Sequence, residues 1–204
     1  MARAKFRKFE RRTEFGDFQT PDALAQDICR LLVGLGIRPA SVLEPTCGCG
    51  SVLVAALSSF STLTKAIGLE VNGAYAEMAR VRAQGHSFGK VAAVLQGDFF
   101  RTDWPPILER LPDPLLIIGN PPWVTNATLG TLSSENLPLK ANTQNLRGFD
   151  ALTGKSNFDI SEWMLQRMIE WARGREVDIA VLCKTSVARK VLLYAWSHNA
   201  VLSM

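Results

Sequence analysis

Short apolar runs alternate with amphipathic stretches along most of this chain. The runs have the length of single strands, and the stretches between them are typical of helices. Strands are predicted at 41–44, 65–71, 91–96, 115–119 and 177–183, and helices at 21–35, 50–59, 73–84, 159–173 and 187–196. Strands that are apolar throughout are buried on both faces. The pattern therefore predicts an α/β fold, with a doubly wound, mostly parallel sheet that helices cover on both sides.

Two segments interrupt this alternation. Residues 124–157 form a long stretch rich in Gly, Ser, Thr and Asn, and loops of that length are usually functional or disordered. Its position directly after Trp123 favours a lid or a loop that grips a substrate. The chain also stops at Met204, where a further strand would begin. We therefore expect it to be truncated before the final strands of the fold, or to be part of a longer protein.

The composition narrows the class of protein. With 204 residues, of which 47% are hydrophobic, the chain fits one globular domain with a sizeable core. It has no apolar run that could cross a bilayer and no signal-peptide core, so a cytoplasmic protein without a membrane partner is expected. The four cysteines form no C-x-x-C pairs and only two histidines accompany them. We therefore expect reduced thiols and no metal site.

Positive charge is concentrated at the start of the chain. The net charge of +4 permits a polyanionic partner without requiring one. The basic residues of the first dozen positions are Arg3, Lys5, Arg7, Lys8, Arg11 and Arg12. They could contact phosphate or form a solvated tail. We favour the tail, which gives a basic segment at 1–14 and a single domain at 15–204.

The segment Gly119-Asn120-Pro121-Pro122-Trp123 follows the apolar run at 115–118. Two prolines fix the backbone and offer no N–H, so the turn presents acceptors without competing donors. The Asn120 side-chain oxygen and a backbone carbonyl can both accept from one –NH2 group, and Trp123 offers a flat surface for a planar ring. The turn suits an exocyclic or amide nitrogen. Taken alone, it is equally well explained as a buried strand that ends in a proline-rich turn.

The first predicted strand leads into a glycine-containing loop, Leu43-Glu44-Pro45-Thr46-Cys47-Gly48-Cys49-Gly50. Its glycines allow a tight turn and close approach to a ligand. The loop lacks the third glycine of the dinucleotide fingerprint, and its acid would repel a pyrophosphate. It therefore argues against NAD and favours a cofactor with a cationic amino group.

Acidic residues also end the second and third predicted strands, at Glu70 and Asp98. A carboxylate about twenty residues after the loop can accept two hydrogen bonds from a ribose diol, although Glu70 could instead help to cap the following helix. Asp98 can accept from the exocyclic amine of an adenine, with Phe99 packed on the ring. Because the carboxyl ends of parallel strands meet at one edge of a sheet, these acids and the N-P-P-W turn should converge.

Together these motifs resemble those of S-adenosylmethionine-dependent DNA adenine-N6 methyltransferases, in the group whose cofactor motifs precede the N-P-P turn. The resemblance begins at about Phe15, includes Phe18-Gln19-Thr20-Pro21, and runs to the end of the chain. It implies a Rossmann-like class I methyltransferase catalytic domain at 15–204, without the closing strands and the target-recognition region of the family. It implies S-adenosylmethionine as cofactor and DNA as partner, with a C-terminal target-recognition region or a separate specificity or restriction subunit.

The resemblance also assigns roles to individual residues. It implies catalytic roles for Asn120, Pro121, Pro122 and Trp123, and stacking of the target base on Trp123 and Phe158. Trp123 stands where tyrosine is commoner in the family. The residues implied to contact the cofactor are Thr20, Pro21, Glu44, Pro45, Cys47, Gly48, Gly50, Glu70, Val71, Asp98, Phe99, Asn120 and Pro122.

Other functions remain open from the sequence. Glutamine side chains and other nucleobases also carry planar, delocalised nitrogens, so an RNA or protein-glutamine N-methyltransferase is the nearest alternative. A non-catalytic methyltransferase-like subunit of a restriction-modification assembly is a second one. Binding of the cofactor would distinguish an enzyme from such a scaffold.

Overall fold

The computed structural model describes residues 19–123 and 159–198. The basic tail at 1–14, the proposed lid at 124–157 and Phe158 lie outside these residues. In chain order the described residues form α1 (Asp22–Gly34), β1 (Ser41–Glu44), α2 (Ser51–Ser59), β2 (Lys65–Glu70), α3 (Gly73–Gln84), β3 (Ala92–Gln96), α4 (Pro105–Leu108), β4 (Leu115–Gly119), α5 (Ile160–Trp171), β5 (Val177–Val181) and α6 (Thr185–Ser197).

The described strands form one parallel sheet in the order β3-β2-β1-β4-β5. This confirms the predicted α/β class and the parallel sheet. β1 lies in the middle, and the chain adds strands first on one side of it and then on the other. A doubly wound sheet has its crevice where the strand order reverses in this way, which here is between β1 and β4.

Helices cover both faces of the sheet, and each face has its own apolar core. Val42 and Leu116 face α1, α2 and α3, whereas Leu43 and Ile117 face α5, α6 and the short α4. All of these strand side chains are fully buried. β1 and β4 are apolar on both faces because helices cover both, which is why they appear in the sequence as continuous apolar runs.

The predicted helices and strands all occur, with ends that shift by a few residues. Strand β2 ends at Glu70 because the Glu70 carboxylate accepts from the Asn72 backbone N–H and turns the chain into α3. Two short elements were not predicted, a 3-10 turn at Gly89–Val91 and the helix α4 at Pro105–Leu108. Neither is long enough to show a period of apolar residues in the sequence.

Candidate functional site

The glycine loop after β1 has a backbone that only glycine adopts easily. Gly48 and Gly50 have φ values of 52° and 81°, in the left-handed region. A Cβ at Gly50 would lie 2.9 Å from the Ala79 Cβ on α3, and one at Gly48 would overlap the Gln19 side chain. The loop is therefore packed tightly between α3 and the segment that precedes α1.

Glu70, at the end of β2, holds this loop in place. One oxygen of its carboxylate accepts from the Gly48 backbone N–H and the other accepts from the Asn72 N–H, both at 2.8 Å. Helix α3 is capped by the Asn72 side chain, which accepts from the N–H groups of Ala74 and Tyr75. The capping role considered for Glu70 thus belongs to Asn72, and Glu70 links the first two strand ends.

Glu44, at the end of β1, is a carboxyl group in an apolar environment. Its residue is 2% exposed. Burial, and then the nearby charge of Glu70, raise its pKa well above the usual range, while a hydrogen bond from the Leu53 backbone and the charge of Arg82 act in the opposite direction. Within the described part of the chain, Glu44 Oε2 and Thr46 Oγ1 are buried without a hydrogen-bond partner. Such atoms are expected where a polar ligand binds.

Two further predicted residues lie after β3. Asp98 is half-buried; one of its oxygens accepts from the Phe100 N–H at 2.8 Å, and the other lies 3.9 Å from the Arg101 guanidinium. Phe99 is 6% exposed and packs into a cluster of aromatic rings, 5.2 Å from Trp104 and 5.5 Å from Trp171 between centroids. Its predicted contact with an adenine ring stays a prediction.

The N-P-P-W turn begins directly after β4. The Asn120 side-chain amide donates to the Thr20 hydroxyl at 3.3 Å, so the segment before α1 reaches the end of β4. Pro121 is buried, Pro122 is half-buried, and Trp123 is 37% exposed. The Trp123 indole N–H donates to the Leu182 carbonyl at 3.3 Å. The ring is thus anchored at its polar edge while much of its surface stays accessible.

Sequence reasoning missed two side chains that tie the site together. Gln19 accepts from the Cys49 N–H at 2.9 Å. Arg82, on α3, donates to the Cys49 carbonyl and the Ser51 hydroxyl at 3.2 Å each, and pairs with Asp22 at 2.6 Å. Gln19 lies in the segment that carried the family resemblance, so it could have been found. Arg82 gave no signal, since it lies on an ordinary amphipathic helix.

The predicted site residues fall into three groups: hydrogen-bonded pairs, buried residues and exposed residues. Hydrogen bonds link Glu70 to Gly48 and Asn120 to Thr20, and both pairs lie at the carboxyl end of the sheet. Pro45 and Cys47, both within the glycine loop, are buried, and burial raises the pKa of the Cys47 thiol. Pro21 and Val71 are exposed at the ends of the segments before α1 and after β2.

Residues 19–123 and 159–198 contain neither a candidate metal site nor a candidate membrane-spanning helix. No group of three or more His, Cys, Asp or Glu residues in these ranges could hold a metal ion. No helix in these ranges is both long enough and apolar enough to cross a membrane. The cysteines in the same ranges, Cys29, Cys47, Cys49 and Cys183, are free thiols.

The chain is similar to known methyltransferases in sequence and in fold. A curated relative, the Type II methyltransferase M.NspV from Nostoc sp. (strain ATCC 29411 / PCC 7524), is 47% identical over 186 residues, which cover 91% of this chain. They cover 38% of that relative, so the chain spans well under half of its length.

Two solved structures share the fold. A Pyrococcus horikoshii protein described as a putative RNA methyltransferase has a TM-score of 0.54 at 18% identity, over 88% of this chain and 67% of its own. The modification subunit of a putative type I restriction enzyme from Vibrio vulnificus YJ016 has a TM-score of 0.50 at 16% identity, over 94% and 41%. Both show a Rossmann-like methyltransferase fold. The family model for N-6 DNA methylases matches residues 5–187. The chain therefore belongs to the N-6 DNA methylase family.

Proposed function

We propose that this chain is the catalytic domain of a methyltransferase that transfers a methyl group from S-adenosylmethionine to N6 of adenine in DNA. The observation that carries the proposal is the position of Asn120. The N-P-P-W turn begins at the crevice of the sheet, hydrogen-bonded through Thr20 to the segment that also contacts the glycine loop. An acceptor-rich turn for a planar nitrogen thus adjoins a loop suited to an amino-acid cofactor.

The residues present fit S-adenosylmethionine. Glu44 Oε2 and Thr46 Oγ1 are buried polar atoms that a ligand could satisfy. Glu70 lies at the end of β2 beside the glycine loop, and a carboxylate is an acceptor suited to ribose hydroxyls. When bound, the cofactor supplies an electrophilic methyl group on a sulfonium.

Asn120 activates and orients the target nitrogen. The lone pair of adenine N6 is delocalised into the ring, so the nitrogen is a weak nucleophile. The Asn120 side-chain oxygen and the Pro121 carbonyl accept its two hydrogens and draw them out of the ring plane, which raises the electron density on nitrogen. The Asn120 amide nitrogen donates to the Thr20 hydroxyl, which orients the amide so that its oxygen is the atom that would accept from N6. After transfer, the surplus N6 proton is acidic and leaves to solvent.

Trp123 holds the target base. A base stacked in a duplex cannot reach a pocket of this kind, so the adenine is flipped out of the helix. Trp123 then stacks on the flipped base with the accessible part of its ring. On this proposal the partners are duplex DNA in the cytoplasm and either a target-recognition region or a separate specificity or restriction subunit.

The test is methyl transfer from labelled S-adenosylmethionine to unmethylated duplex DNA by the natural protein that contains this chain. We expect N6-methyladenine after digestion to nucleosides. Methylation of RNA or of a protein glutamine instead would contradict the proposal, and cofactor binding with no transfer to any of these would identify a non-catalytic subunit.

The Asn120→Ala variant sharpens this test. We expect it to bind S-adenosylmethionine within about threefold of wild type and to lose at least 100-fold in transfer, since it removes an acceptor used at the reacting nitrogen. Asn72→Ala is a matched control, because Asn72 is an asparagine at the same sheet edge whose side chain caps α3. Retained transfer in Asn120→Ala would contradict the mechanism.

A further inference from the structure

We propose that Lys184 is a positioning residue that fixes Trp123 for stacking on the target base, an inference that rests on the function proposed above. Lys184 comes just after β5 and precedes the first residue of α6. Its ammonium donates to the Trp123 backbone carbonyl at 3.3 Å and pairs with the Asp159 carboxylate at 2.8 Å. No sequence motif pointed to this residue.

Trp123 is held from the same strand end at two points. β5 lies beside β4, and the Leu182 N–H extends their pairing by donating to the Gly119 carbonyl at 3.0 Å. The Leu182 carbonyl then accepts from the Trp123 indole N–H at 3.3 Å, while Lys184 binds the Trp123 backbone oxygen. One contact fixes the edge of the ring and the other fixes its backbone. Together they set the plane on which a base would stack.

Asp159 keeps the Lys184 ammonium in this position. Its side chain is 9% exposed, and its second oxygen accepts from the backbone N–H and the hydroxyl of Ser161 at the start of α5. The position of the Asp159 carboxylate is therefore set by Ser161 as well as by Lys184. Lysine suits this position because a compact ammonium with three donors can serve two acceptors that lie in different directions. Lys184 thus joins the N-P-P-W turn to the first turn of α5.

The chain offers a matched control in a second lysine. Lys190, on α6, pairs with the buried Glu162 carboxylate of α5, also at 2.8 Å. Both ion pairs join a lysine to a buried carboxylate between α5 and α6, although the carboxylate is an aspartate in one and a glutamate in the other. Lys190 bonds to Glu162, whereas Lys184 also bonds to the turn at 120–123. Loss of either lysine leaves a buried carboxylate without its cation. A purely structural role would therefore give the two variants the same phenotype.

The experiment compares Lys184→Met with Lys190→Met in the natural protein. The first measurement is acrylamide quenching of tryptophan fluorescence, with each lysine variant also made in a Trp123→Phe background so that the Trp123 contribution is obtained by difference. We expect quenching of Trp123 to rise at least twofold in Lys184→Met and to stay at the wild-type value in Lys190→Met. This measurement needs neither DNA nor cofactor.

The second measurement is steady-state transfer to the DNA that wild type methylates. We expect Lys184→Met to lose about tenfold in kcat/KM for DNA, because displacement of a substrate-contacting group by about 1 Å can cost 100-fold. The KM for S-adenosylmethionine should stay within twofold. Lys184→Arg, which keeps the cation, should recover part of the loss.

The outcomes separate this proposal from the function on which it rests. Unchanged Trp123 quenching in Lys184→Met, or equal losses in both methionine variants, would overturn the positioning role even in an active enzyme. If wild type methylates no DNA, the proposed function fails and the quenching comparison alone decides whether Lys184 holds Trp123. If Lys184→Met does not fold, Lys184→Gln takes its place with the same expected results.

Discussion

The Glu70 carboxylate holds the glycine loop in place, so its removal should lower the free energy of unfolding, which can be measured without any substrate. In Glu70→Ala, the Gly48 and Asn72 N–H groups both lose their acceptor. The Asn72 group is exposed and water can replace the carboxylate there at little cost. The Gly48 group is partly buried, and an unsatisfied buried donor costs about 1–3 kcal/mol. We expect a loss of about 2 kcal/mol in the free energy of unfolding, or roughly 4–8 °C in Tm for a domain of this size.

The same substitution should weaken cofactor binding by more than the loss of ribose contacts alone. Without Glu70 the glycine loop must also be ordered when the cofactor binds, and each 1.4 kcal/mol costs tenfold in affinity. We expect the Kd for S-adenosylmethionine to rise about 100-fold in Glu70→Ala and about tenfold in Glu70→Gln, whose amide oxygen can still accept from one N–H. Thermal unfolding without ligand and titration calorimetry with ligand measure the two effects separately.

Glu77→Ala is the matched control for Glu70. Glu77 is an exposed glutamate on α3 that pairs with Arg80, and such surface pairs contribute about 0–1 kcal/mol. Its variant should melt and bind cofactor like wild type. A Glu70→Ala protein that also melts like wild type would refute the role of Glu70 in holding the loop. Unchanged cofactor affinity would refute its role in the cofactor site.

Two further substitutions test the interior of the site. Burial raises the pKa of Glu44 in the folded state, so its contribution to stability is fully present below the unfolded pKa of about 4.5 and is lost as the pH rises through the folded value. Glu44→Gln should therefore gain in Tm relative to wild type as the pH rises above 4.5, and parallel pH profiles would contradict this. Gly50→Ala should cost about 2–4 kcal/mol, from the left-handed backbone and the contact with Ala79. Gly34→Ala, where a Cβ meets nothing within 4 Å, should cost nothing, and equal denaturation midpoints would refute the steric argument.

The sequence predicted β1, β2 and β4 well because they are buried over most of their length and so appear as continuous apolar runs. β3 and β5 are less buried, and their apolar residues were enough to predict them. It predicted that Glu70 lies beside the glycine loop because parallel strands end at one edge. It did not predict that Glu70 accepts from the Gly48 N–H, since that bond depends on the path of the loop rather than on residue types. Arg82 was missed for the same reason, because its partners are a loop carbonyl and residues on two other helices.

At Phe99 the sequence pattern was compatible with two different environments. An aromatic residue after an acid at a strand end suits a ligand ring as well as it suits the core. In the fold, Phe99 packs against Trp104, Trp163 and Trp171, which come from α5 and the segment before α4. Trp104 is close to Phe99 in the chain, but only tertiary structure brings Trp163 and Trp171 to it. The environment of a single aromatic side chain therefore could not be read from its neighbours in the sequence.

The reversal of strand order between β1 and β4 separates the proposed cofactor residues from the proposed target-base residues. The three acids proposed to bind the cofactor lie at or just after the ends of β1, β2 and β3, on one side of that boundary, whereas the N-P-P-W turn and Lys184 follow β4 and β5, on the other. Selection for a new target nitrogen can therefore act on one half of the sheet while the other half keeps its ligand. On the proposed function, a change of target base therefore needs no change in the residues that bind the methyl donor.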